Sequence, residues 1–210
     1  MRKAIVVPVI LLACAQVAAA QSIHPRLKSK EVTVRSVAVV PPKVDDSKGK
    51  SDKYRAEELA NRLAESVSSA LKSKGREVPE ALKDEKQIAA LQEMYESVCK
   101  KVEGNPKGVG KAAFTLGPDI AKQAEAAKVD ALVFVRADAA FDEKVSASAD
   151  ASSFSITSMP LNKVKARFAM VDAKTGDVLL YFTADGKGNN PDTFASLEKG
   201  VAAGLRTLPD

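Results

Sequence analysis

The sequence predicts a mixed α/β domain, a sheet flanked by helices, and three observations carry that prediction. Valine-rich runs at Glu31–Val40 and Val129–Ala137 have strand composition. Leu59, Leu63, Val67 and Leu71 recur every four residues and lay one apolar stripe along a helix. Val164, Ala166, Phe168 and Met170 alternate with Lys165 and Arg167 before a turn and a second apolar run, which is the signature of a hairpin.

Taken in order, the elements begin with a polar stretch, Gln21–Lys30, containing Pro25 and read as a flexible leader. The Glu31–Val40 strand follows, and Pro41-Pro42 is expected to end it because proline cannot donate to a ladder. Asp45–Ser51 reads as a charged loop, and Asp52–Lys74 as a helix closed by Gly75. Pro79 is expected to open the next helical region. There Ile88, Leu91, Tyr95, Val98 and Val102 keep helical spacing until Gly104.

Asn105–Lys111 reads as a Gly-rich basic loop, and Gly117-Pro118-Asp119 as the start of an alanine-rich helix. Leu132-Val133-Phe134-Val135 is continuously apolar, as expected of a central strand covered on both faces. Asp142–Ser158, rich in Ser and Ala, is expected to be a loop or weak edge hairpin. The hairpin turns over Asp172–Asp177, with Gly176 where positive φ is needed. Asn190-Pro191-Asp192 then starts a last helix with the face Phe194, Leu197, Val201 and Leu205.

The amino terminus sets the compartment. Arg2 and Lys3 precede an apolar stretch, Ala4–Val17, followed by Ala18-Ala19-Ala20, which is the anatomy of a bacterial signal peptide. Signal peptidase cleavage is expected between Ala20 and Gln21. A second reading stays open, because Leu11-Leu12-Ala13-Cys14 resembles a lipobox, in which Cys14 would be acylated and become the new terminus. The apolar run is shorter than the ~20 residues a spanning helix needs, so no transmembrane segment is expected in the mature chain. The domain organisation is therefore 1–20 signal peptide, 21–30 leader and 31–210 one α/β envelope domain, periplasmic or outer-membrane-associated.

Composition narrows the function classes. The 210 residues hold 32 basic and 27 acidic side chains, and losing Arg2 and Lys3 with the signal leaves 30 against 27, or +3. The charges alternate in sign along the helices, the pattern of solvated faces, which argues against nucleic-acid binding. Without Trp, and with only 5% aromatics, the chain lacks stacking platforms for sugars or bases. Cys99 is the sole cysteine after the signal, so no intramolecular disulfide can form.

The strand Ser36-Val37-Ala38-Val39-Val40-Pro41-Pro42, the amphipathic helix after it, Val129–Val135 and Val171–Leu179 together resemble a group of bacterial periplasmic domains. The group includes the TolB amino-terminal domain, the curli secretion channel and lipoprotein activators of peptidoglycan synthases. The resemblance runs from about Val32 to Leu208 and rests on structural motifs. It implies a mixed sheet flanked by helices and a role in binding envelope partners without catalysis. Two departures stand out. The polar Ser146–Ser158 stretch is too short for the membrane-entering segments of the channel members, and the helical insertion Pro79–Lys128 is long for the group.

Individual residues offer little candidate chemistry. Gly104–Lys111 departs from a phosphate loop: Asn105 stands at the first glycine and Ala112 at the magnesium-holding Ser/Thr. His24, the only histidine, sits in the leader away from other ligands, so metal sites and a Ser–His–Asp triad lack their usual partner. Glu57–Glu58 and Asp84–Glu85 lie on predicted helix surfaces. Cys99 continues a helix stripe and reads as a small buried side chain. Asp185–Asp192 carries oxygen ligands without the spacing of an EF-hand, and Gly200-Val201-Ala202-Ala203-Gly204 reads as a close-packing face.

No catalytic residue, cofactor or metal site is expected. The function expected is that of a non-enzymatic envelope protein that binds another envelope protein, through an open sheet edge and the Asp142–Ser158 loop. A periplasmic small-molecule or ion-binding protein is the alternative reading, and a carboxylate-dependent hydrolase a weaker one.

Overall fold

A computed structural model describes residues 21–46, 53–79, 82–141, 161–187 and 190–209. Residues 1–20, with the expected acylation and cleavage positions Cys14 and Ala20, and the Asp142–Ser158 stretch lie outside the described residues. The elements are β1 (Ser22–Ile23), α1 (Pro25–Lys28), β2 (Val37–Val39), β3 (Lys43–Asp46), α2 (Lys53–Ser73) and α3 (Glu85–Gly104), then α4 (Ile120–Ala124), β4 (Ala131–Phe141), β5 (Leu161–Asp172), β6 (Val178–Lys187) and α5 (Asn190–Leu205). They form one mixed sheet of order β1-β6-β5-β4, with β2 and β3 both parallel to β4 along its outer edge. All other pairs are antiparallel.

Helices cover both faces. On one face α2 and α5 set Leu59, Leu63, Val67, Leu71, Leu197, Val201 and Leu205 against Val133, Val135, Phe168 and Phe182. On the other, α3 and α4 set Leu91, Tyr95, Val98, Val102 and Ile120 against Leu132, Phe134, Ala169 and Tyr181. The stripes read from the sequence are thus the buried stripes, and β4 is apolar on both sides because both layers meet there. Gly204 and Gly200 let α5 close on the sheet: a methyl group at Gly200 would come within 2.6 Å of the Ala184 Cβ, and one at Gly204 would enter the Phe182 ring.

Several expectations change. Residues 21–30 are not a free leader. Ser22 and Ile23 pair with Tyr181 and Leu180, His24 N donates to Leu179 O at 2.8 Å, and Leu27 is buried. Ile23 and Leu27 are the apolar anchors that the polar neighbours hid. Regular pairing in the first strand covers only Val37–Val39 and stops short of Pro41-Pro42, as expected. The strand resumes as β3 with one extra residue, since Val39 faces Val133 but Lys43 faces Arg136. A bulge on an edge tolerates prolines, which have no N–H to leave unpaired.

Pro79 does not open α3, which starts at Glu85 where Asp84 caps it, its Oδ1 accepting from Lys86 N and Gln87 N. The Gly-rich basic segment is a 3-10 helix, Pro106–Lys111, with Val109 fully buried. The alanine-rich helix shrinks to α4 and one 3-10 turn. The hairpin turn is as expected: Asp172 Oδ1 accepts from Lys174 N and Thr175 N, and Gly176 has φ +78°.

Asp130 ties β2 to the start of β4. Its Oδ2 accepts from Arg35 N (2.9 Å), Ser36 N (3.0 Å) and Ser36 Oγ (3.2 Å). Burial raises its pKa, but these hydrogen bonds outweigh it and hold the carboxyl below its ordinary value. Asp130→Ala is expected to cost about 2 kcal/mol at neutral pH, as bonds to a charged group do. A depressed carboxyl stabilises above its unfolded pKa and loses that contribution as pH falls through the folded value. The difference in melting temperature between wild type and Asp130→Ala should therefore shrink below about pH 4; a gap independent of pH would refute the assignment.

Candidate functional site

The three long strands change character along one face. Beneath α3 they carry Leu132 and Phe134 on β4, Val171 and Ala169 on β5, and Tyr181 on β6. Two residues further along each strand, the same face carries Arg136 and Asp138, Arg167, Lys165 and Lys163, and Thr183, Asp185 and Lys187. Side chains alternate across a strand, so these positions share the α3 face of the sheet.

Arg136 and Arg167 lie directly opposite each other in the β4–β5 register, a pairing that is repulsive by itself. Each is neutralised from another element. Arg136 pairs with Asp45 on β3 at 2.9 Å and with Glu96 on α3 at 3.5 Å, while Lys43 binds Glu96 at 2.6 Å. Arg167 pairs with Asp138 at 2.6 Å and with Glu103 on α3 at 3.5 Å. Glu96 and Glu103 are two helical turns apart and so face the same arginine row.

The electrostatics follow from these contacts. The Lys43 hydrogen bond, aided by Arg136, holds Glu96 below the ordinary carboxylate value, and the Arg167 hydrogen bond does the same for Asp138. Burial would lower Arg136, but Asp45 and Glu96 outweigh it and raise it further. The tyrosines beside the cluster move upward, both by burial first: Tyr95, which stacks on Phe134 at 4.7 Å, stays protonated, and Tyr181 is pushed up to about 12. Retaining and inverting glycosidases need one carboxyl kept protonated. Glu96 and Asp138 are shifted the opposite way, which argues against the hydrolase reading at this cluster.

The residues singled out in the sequence do not converge here. His24 is buried and caps α1, its Nδ1 accepting from Arg26 N at 3.2 Å. Glu58 pairs with Arg62 on the surface of α2, and Asp84 is the α3 cap. Asp185 lies exposed in β6 and Asp192 in the first turn of α5. Among the described residues, no three His, Cys, Asp or Glu side chains are grouped to hold a metal ion, and no helix is long and apolar enough to cross a membrane.

Cys99 is fully buried on the inner face of α3, its Sγ 3.4 Å from Arg136 Nη1. It is expected to react with a thiol reagent only as fast as the domain opens. Stoichiometric labelling within the mixing time under native conditions would contradict that.

The comparisons with known proteins are of fold only. No protein-family model matches the chain, and no curated protein matches it. Among solved structures it is similar to the PelC dodecamer of Paraburkholderia phytofirmans, with 12% identity, TM-score 0.44, and 89% of this chain and 93% of that chain covered. It is also similar to lipoprotein GNA1162 of Neisseria meningitidis, with 15% identity, TM-score 0.38 and coverages of 75% and 83%. The LpoB C-terminal domain of Salmonella enterica gives 10% identity, TM-score 0.35 and coverages of 79% and 96%.

The cluster of Arg136, Arg167, Asp45, Glu96, Asp138 and Glu103 was not among the residues selected from the sequence. One signal pointed to it. In Val133-Phe134-Val135-Arg136-Ala137-Asp138 one face stays apolar while the other turns charged, which marks where apolar packing under α3 gives way to ion pairs.

Proposed function

We propose that the chain is an exported bacterial envelope protein that binds another envelope protein and catalyses nothing, processed either between Ala20 and Gln21 or at an acylated Cys14. The observation that supports it best is the far half of the sheet. There β4, β5 and β6 run past α3 and present a charged face whose arginines are already tied to carboxylates, leaving Lys163, Lys165 and Lys187 exposed at the rim. Fixed, mutually neutralised charges present a rigid polar surface, which suits recognition of a partner more than proton transfer.

A photo-crosslinking amino acid at Thr183 or Lys165, in the gene expressed in its bacterium, tests the reading. It should give a discrete adduct with an envelope protein, whereas Ser66 on the opposite layer should give none. Equal adducts from both faces, or none from Thr183 and Lys165, would overturn it. The intact mass of the exported chain, read beside membrane fractionation, decides between a start at Gln21 and an acylated Cys14.

A further inference from the structure

We infer that the outer edge of β6 between Phe182 and Lys187 is a docking edge for an extended, acidic segment of the partner, added to the sheet as an antiparallel strand. The inference rests on the partner-binding reading above and specifies its chemistry. Among the described residues, β6 is paired on that side only at Leu180 and Tyr181, by the two residues of β1. The rest of the strand, through Lys187, pairs with β5 alone.

The hydrogen-bond phase of that edge is fixed. His24 N donates to Leu179 O, and Ser22 faces Tyr181, so the peptide groups of Leu179 and Tyr181 point toward β1. Antiparallel strands alternate in this respect, so Thr183, Asp185 and Lys187 direct their N–H and C=O groups outward, while those of Phe182, Ala184 and Gly186 point to β5. A row of outward-directed groups is a template for strand addition.

Charge selects the occupant. Lys163 and Lys187 are directly opposite in the β5–β6 register, and both are exposed. Like charges so placed repel, and among the described residues neither has the carboxylate partner that each arginine has. Lys165 adds a third ammonium two residues away, with Asp185 opposite as the sole acid on this end of β5 and β6. Acidic side chains on the outward face of an added strand would relieve that repulsion. Its alternate side chains would lie on the α5 side beside Phe182 and Ala184, which are buried there, so small or apolar residues suit those positions.

The amino terminus gives a direct test. β1 is antiparallel to β6, and Gln21, whose Nε2 bonds Gly204 O and Thr207 Oγ1, sits where a segment joined upstream leaves along the edge. A chain beginning at Gln21 holds every described residue. It is compared with the same chain preceded by a short segment alternating glutamate and valine, by one alternating lysine and valine, and by its own Ala15–Ala20. Tethering raises the effective concentration to about millimolar, so weak pairing is still read.

Amide exchange at Thr183, Asp185 and Lys187 should slow at least about tenfold with the glutamate–valine segment only, while Phe182, Ala184 and Gly186 stay protected throughout. Lys163→Glu with Lys187→Glu should abolish the gain. No slowing, equal slowing with the lysine–valine segment, or equal slowing with Ala15–Ala20 would each overturn the inference, the last by making the chain its own occupant. A concentration-dependent dimer of the Gln21 chain with these amides protected would overturn it too. No partner protein is present, so this result stands apart from the crosslinking that tests the broader reading.

Discussion

Phe168→Ala is expected to destabilise the domain by about 3–5 kcal/mol, as loss of a buried aromatic side chain does. Phe168 is 1% exposed at the middle of β5, with Val135 beside it on β4 and Phe182 on β6. It stacks on Phe182 with ring centroids 4.7 Å apart and planes 9° from parallel, so the truncation removes both burial and an aromatic pair. The cavity cannot close easily. α5 already approaches so tightly that Gly204 has no room for a methyl group against the Phe182 ring. At about 2–4 °C per kcal/mol for a chain of this size, the melting temperature should fall by roughly 6–20 °C. Urea titration followed by circular dichroism measures it. Phe168→Leu, which keeps most of the volume, should cost less than half as much, and a loss below about 1 kcal/mol for Phe168→Ala would show that the pair is not a core contact.

That core was legible because burial leaves a period in the sequence. Leu59, Leu63, Val67 and Leu71, and Phe168 with Met170, are spaced as a helix stripe and a strand face must be, and both are buried where the spacing put them. Where the structure departs from the sequence expectation there is one common cause: a few tertiary contacts override local polarity and local breakers. Gln21–Lys30 is polar, yet Ile23 and Leu27 suffice to seat it on β6 and the core. Asp45 was expected to open a loop, yet beyond Pro41-Pro42 the chain pairs again on the same edge as Lys43–Asp46, one residue out of register. Glycines at 104, 108 and 110 suggested a free loop, but Val109 among them is buried and fixes it.

The charged site was less legible for a different reason. Its members, Asp45, Glu96, Glu103, Arg136, Asp138 and Arg167, come from four elements, and each alone is an ordinary surface residue. Their association depends on the β4–β5 register and on how far α3 extends over the sheet. Neither quantity is encoded in local spacing. The alternation in Arg136-Ala137-Asp138 marked the position of the face, though not its partners.

Arg167→Ala is the second large effect expected, and it separates a structural role of this cluster from a passive one. The Arg167 side chain is 14% exposed, and its partners Glu103 and Asp138 are 23% and 40% exposed. Removing one member of a buried ion pair costs about 3–5 kcal/mol because the other charge is stranded. Asp138 is open enough to water to recover part of that, so a loss of about 2–3 kcal/mol at neutral pH is expected. The sign with pH follows from Asp138, whose carboxyl is held below its ordinary value by the Arg167 hydrogen bond. Wild type draws that stabilisation above the unfolded carboxylate pKa and loses it as pH falls through the folded value. The variant never has it, so the two stability curves should converge below about pH 4. Asp138→Asn in the Arg167→Ala background should cost little more than Arg167→Ala alone, a coupling of at least about 1 kcal/mol in the double-mutant cycle. Additive costs, or a gap between the curves that persists into acid, would mean that Arg167 acts through packing of its aliphatic stem. In that case the far face of the sheet would be held by shape, and the rigid, neutralised charge row argued to present it to a partner would lose its physical basis.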